Sequence, residues 1–184
     1  MTGATIPWEG VVWTEAWQVT APQDWPREPG DTAAPDAFFA TLRAAGRGID
    51  AARFLAHALP RMGAIGWLRA TIAAEAPAAD RASLAAIDAW LRAPDDAGRR
   101  AAFDCALPLP AEDPAKLCAA AVMFSGGSLA PDAFPATPAP KHAAAQFVAA
   151  GVLLCTAAAI DPAAALDRAL DAGAARAIPA RRPD

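Results

Sequence analysis

An all-α domain is the architecture this chain should adopt, and three features of its 184 residues carry that expectation. Alanine, the strongest helix former, fills 55 positions. Tyrosine is absent, and the β-branched and aromatic residues that strands favour come only in short runs. From Pro35 onward, prolines and aspartates punctuate the chain as helices require: Asp113-Pro114 and Asp161-Pro162 each set an N-cap acceptor before a proline at the first helical position. Short connections favour antiparallel neighbours, which predicts a compact multi-helix bundle or layered helical array of about eight helices. No fixed period of about 30 to 45 residues recurs, which argues against a regular solenoid.

Residues 1–34 stand apart as an irregular arm rich in tryptophan and proline. They hold Trp8, Trp13, Trp17 and Trp25, four of the six tryptophans. Val11 to Thr20 could form a strand with Val11, Trp13, Trp17 and Val19 on one face, interrupted by Glu15, or a short helix ending before Pro22. The arm is expected to pack its indoles on the body, to dock a partner, or to be disordered.

Helices follow over 35–45 (Phe38, Phe39, Leu42, stopped by Gly46) and 50–59 (Phe54, Leu55, Ala58, Leu59). The next, over 61–76, aligns Ile65, Leu68 and Ile72 with Trp67 at the flank, and Pro77 ends it. Asp80 caps 81–92, which carries Leu84, Ile87 and Leu91, and Asp95 or Asp96 opens a helix toward Ala106. Further helices are predicted over 114–124, 141–159 and 162–172, with Gly173 as the C-terminal cap of the last. The helical domain is thus assigned to residues 35–176, and residues 177–184 to a frayed tail.

Composition narrows function. A net charge of −4 and a pI near 5.1 offer no basic stripe for a nucleic acid, and Arg99-Arg100 and Arg181-Arg182 are expected on solvated faces. The opening Met1 to Thr5 lacks the basic and apolar regions of a secretory signal, so a cytoplasmic chain with reduced thiols is expected. Residues 143–160 are uncharged, but alanine and glycine drive membrane insertion weakly, and a buried core helix is the expectation.

Candidate sites are sparse. Ser125 and Ser128 flank Gly126-Gly127 without the spacing of a nucleophile elbow or a phosphate loop, so a glycine there should end a helix and Ser128 should bond freed backbone groups. His57 is expected as a core histidine and His142 as a solvated or capping residue. Cys105, Cys118 and Cys155 lack metal-ligand spacing and should be buried free thiols. Asp95-Asp96 and Glu112-Asp113 sit at predicted helix starts, where carboxylates cap. No metal or cofactor is expected.

Three stretches resemble a bacterial protein family of unknown function. They are Phe54 to Arg61 continuing to Trp67, Ala89 to Pro94 continuing to Ala102, and Phe124 to Pro140, the most distinctive of the three. The resemblance spans residues 37–175 and departs from the family pattern at Met62-Gly63 and Gly66. Members of that family are often encoded near type VI secretion genes. The resemblance implies an accessory or adaptor role without defined chemistry: a non-enzymatic protein that binds another protein, for which Trp8, Trp13, Trp17 and Trp25 are the candidate contacts. The alternatives are a serine-dependent hydrolase using Ser125 or Ser128 with His57 or His142, and a small-molecule module with a pocket among the helices.

Overall fold

The aspartates and prolines start helices where their chemistry says they should. In a computed structural model, which describes residues 7–131 and 133–178, nine α-helices and two 3₁₀ turns succeed one another, and no strand forms among those residues. They are α1 (Trp17–Thr20), α2 (Pro35–Ala44), α3 (Gly48–Ala58), α4 (Arg61–Glu75), α5 (Arg81–Arg92), α6 (Asp96–Ala106), α7 (Pro114–Met123), α8 (Ala143–Ala157) and α9 (Pro162–Ala174). Asp80, Asp95, Asp113 and Asp161 each accept a backbone N–H of the first turn, at 2.7, 2.6, 2.8 and 3.0 Å, and so satisfy donors that have no partner inside the helix. Residues 1–5, where no secretory signal is expected, Asp132, the Arg181-Arg182 pair and the tail beyond Ile178 lie outside the described residues.

Helix α8 is the hub. It packs against α3, α4, α7 and α9, while α5 and α6 pair with each other and lean on α7. Its alanines and Gly151 let neighbouring axes approach on several sides, and Val148, Val152 and Cys155 fill the gaps. None of the described helices is long and apolar enough to cross a membrane. At 15 residues α8 spans about 22 Å, short of a hydrocarbon core of about 30 Å.

Trp67 is no flanking residue: it is fully buried, with Phe54, Leu55, Ile65 and Leu68 equally enclosed. Its indole Nε1 donates to the Ala169 carbonyl of α9 at 2.7 Å, which satisfies the one polar group of that ring. The expected cap at Gly173 is likewise corrected. Helix α9 runs through it to Ala174, and a Cβ there would stand 2.7 Å from both Trp67 Cε2 and Leu55 Cδ2. Glycine is needed there for the close approach of α9 to α3 and α4, not for a turn.

The strand considered for Val11 to Thr20 gives way to the short helix α1 and a 3₁₀ turn over Ala21–Gln23. Gln18 decides this locally, because its Oε1 accepts the N–H groups of Thr14 and Glu15 at 2.8 and 3.1 Å and starts a helical turn. The arm is tied to the body through its backbone: Gly10 N–H donates to Ala177 O at 2.7 Å, so the chain beyond α9 is bonded to the arm at that residue. Within the arm Trp17 N–H donates to Asp31 O at 2.7 Å.

Candidate functional site

Two features stand out from the helical framework: a clamped corner and a cleft. The corner is the segment 124–140. Helix α7 ends at Met123, and Gly127 takes the left-handed conformation (φ 67°) that redirects the chain. Ser125 Oγ donates to Val122 O at 2.7 Å, and Ser128 Oγ accepts the N–H groups of Ala130 and Thr137 at 3.1 and 3.0 Å. Both hydroxyls are thereby engaged in shaping the loop, and neither serine lines the cleft described below.

Beneath the corner lies Arg99, and here the expectation of a solvated basic pair fails. Arg99 is 3% exposed. Its guanidinium donates to Met123 O at 2.6 Å and Ser128 O at 2.8 Å, while Arg100 donates to Ser128 O and Ala130 O, each at 2.8 Å. Asp96 holds both arginines, and their hydrogen bonds, Arg99's first, lower its carboxyl pKa below the ordinary value. The loop carbonyls lack partners in a helix or sheet ladder, and these five-donor forks supply them. At the exposed rim of this corner the Phe134 ring is 65% accessible.

The cleft has a volume of about 390 Å³ and opens where α3 ends, α4 begins and α8 begins. Trp13, Leu59, Pro60, Ile65 and Val148 form apolar wall. Among the described residues its polar lining is basic: His57, Arg61, Lys141 and His142, with no carboxylate. The two histidines, which the sequence assigned separate and bland roles, face each other with ring centroids 6.0 Å apart. His142 makes no side-chain cap to α8 and is half-buried. His57 Nδ1 lies 2.9 Å from Arg53 O; a carbonyl only accepts, so Nδ1 carries the proton. Its Nε2 is buried with no hydrogen-bond partner among the described residues. Burial first, then the charges of His142 and Arg53, lower the His57 pKa, so the ring is neutral near pH 7. Nothing in the spacing of His57 and His142 signals this meeting, because it depends on α3 and α8 packing together.

The four tryptophans have different surroundings. Trp8 is buried against Phe39, with centroids 5.1 Å apart. Trp17 donates its indole N–H to Glu15 and takes Arg27 over its ring. Trp25 donates to Glu28 at 2.7 Å beneath Arg47 and Arg53. Trp13 turns half-buried into the cleft, next to Val12, which is 82% exposed. Among the cysteines, Cys118 and Cys155 are buried as expected and burial pushes each thiol up to about 12, whereas Cys105 is exposed. Cys105 stands apart because the last turn of α6 presents it outward, within 3.7 Å of the Ser83 hydroxyl.

A family model described as a family of unknown function, DUF6931, matches residues 38–177, about three quarters of the chain. The chain belongs to that family. The DUF6931 match contains the corner, the arginine clamp and the four basic residues of the cleft, and it begins after the arm that contributes Val12 and Trp13. No curated protein and no solved structure matches the chain.

Proposed function

We propose that this protein is a non-enzymatic accessory or adaptor of the bacterial cytoplasm that binds another protein, an effector, spike or accessory component of a type VI secretion apparatus. The observation that carries the binding reading is Phe134, an aromatic ring 65% exposed on a corner that Arg99, Arg100 and Asp96 hold in place. An aromatic side chain on a preorganised loop loses little freedom when a partner covers it, which suits it to act as an interface anchor. The secretion setting is supported by the resemblance of the 124–140 segment to products encoded near such genes. Trp13, with exposed Val12 beside it, and half-buried Trp17 and Trp25 are the arm tryptophans that keep a face to offer.

Affinity purification from the native cytoplasm should return one discrete protein partner. Phe134→Ala should release it while leaving the thermal transition unchanged. Trp13→Ala combined with Trp17→Ala should weaken the complex where the arm contributes to docking, and should lower stability instead where the arm only packs. Repeated recovery of no partner, with the gene expressed, or a complex indifferent to Phe134→Ala, would overturn the reading.

A further inference from the structure

The cleft inverts the electrostatics of the molecule that contains it. The chain as a whole is acidic, yet this concavity gathers two cationic side chains and both histidines of the sequence, with no carboxylate in its lining among the described residues. Arg61 and Lys141 are exposed, and neither forms an ion pair among the described residues; one Arg61 N–H donates to Ser125 O at 2.7 Å, so the other donors of its fork are the ones a ligand would meet. Behind them the wall is hydrocarbon and indole: Trp13, Leu59, Ile65 and Val148. A cleft of about 390 Å³ lies within the range of roughly 300–1,000 Å³ typical of small-molecule sites, which are mostly apolar with a few polar groups that orient the ligand.

We propose that this cleft binds a small apolar carboxylate, with the hydrocarbon body against Trp13, Ile65 and Val148 and the carboxylate between Arg61, Lys141 and His142. Each half of the site recognises one half of such a ligand. The wall gains free energy in proportion to the hydrocarbon it removes from water. The charged mouth gives hydrogen bonds to an ionised acceptor, stronger than those between neutral groups. A neutral alcohol of the same length would forfeit the second contribution, and an amine would meet repulsion. The orphaned Nε2 of His57 fits the same scheme, because an anion brought into the cleft favours its protonated, donating form. Among the described residues, the charged and titratable groups facing His57 are Arg53 of α3, Arg61 of α4, and Lys141 and His142 ahead of α8; all are basic. Protonation is therefore opposed in the empty cleft and promoted by the ligand's charge, so carboxylate binding should draw in a proton.

The test uses the full chain alone, without any protein partner, so that its outcome is independent of the adaptor reading. Octanoate and 3-phenylpropionate are titrated by calorimetry in two buffers of different ionisation enthalpy, with octan-1-ol and octylamine as matched controls. Saturable one-to-one binding of the carboxylates is expected, at least about tenfold tighter than the alcohol, with proton uptake and with affinity falling as pH rises from about 6 to about 8. Arg61→Gln with Lys141→Gln should weaken octanoate by about tenfold or more, with the unliganded protein still giving a single cooperative thermal transition, lowered slightly by loss of the exposed Arg61 to Ser125 O bond. Equal affinity for octanol and octanoate, undiminished binding by the double variant, or no saturable heat at millimolar octanoate overturns the proposal.

Discussion

Arg99 and Arg100 are adjacent in sequence and differ in what their loss should cost. Arg99 is enclosed and serves the carbonyls of Met123 and Ser128; Arg100 also reaches Ser128 O, so Arg99→Ala leaves the buried Met123 carbonyl as the acceptor that loses its side-chain donor. Urea unfolding should show a loss of about 1–3 kcal/mol for that variant. Arg100 sits nearer solvent, where water can replace it, and Arg100→Ala should cost under about 1 kcal/mol. His57 supplies a pH signature. Its pKa is lowered in the folded chain, while in the unfolded chain the imidazole takes a proton near its ordinary value of about 6.5. Between those two values the unfolded state binds more protons, so stability contributed by neutral His57 is present above about pH 6.5 and is lost as pH falls through the folded value. Unfolding midpoints measured from about pH 7.5 down to about pH 5 should therefore decline, and His57→Gln should flatten part of that decline.

The helices owe their starts to side chains that act within one turn. Asp161 accepts the Ala164 N–H at 3.0 Å, and Asp161→Ala should cost about 1 kcal/mol in a thermal or urea transition. A different constraint acts near the other end of α9. Gly173→Ala would improve intrinsic helix propensity by up to about 1 kcal/mol, yet its Cβ would press on Trp67 and Leu55. Overpacking against a rigid indole costs about 1–3 kcal/mol, so the net effect should be destabilising, with loss of the native tryptophan fluorescence environment as the readout. Propensity and packing disagree at this position, and packing wins because Trp67 is fully buried and its indole is tied to Ala169 O.

Assembly of the whole molecule rests on α8 and on the arm that closes over α2 and the end of α9. Trp8 against Phe39, together with the Gly10 to Ala177 hydrogen bond, makes the arm part of the folded body from residue 7 onward. Trp8→Ala should lower stability by about 3–5 kcal/mol, as for other large buried aromatics. Trp13→Ala should cost less, because that ring borders a cleft and is only half-buried. Comparing the two variants by chemical denaturation separates the packing role of the arm from the role of its cleft-facing edge.

The positions of the helices could be read along the chain because their causes are local: Asp80, Asp95, Asp113 and Asp161 cap, proline and Gly127 interrupt, and alanine fills the spans between. The same locality made the corner recognisable as a structural segment before its clamp was visible. Long-range placement had no such signature. Whether Arg99 faces water or the underside of a loop, whether Gly173 ends a helix or admits an indole, and whether His57 and His142 meet all depend on which helix faces come together. Alanine-rich surfaces make those pairings hard to read, since small side chains can pack in several ways and few large residues mark the contact. Local chemistry along the sequence settled the helices and the capped turns, whereas only the packing of α3, α4 and α8 brought the histidines, Arg61 and Lys141 to one basic cleft.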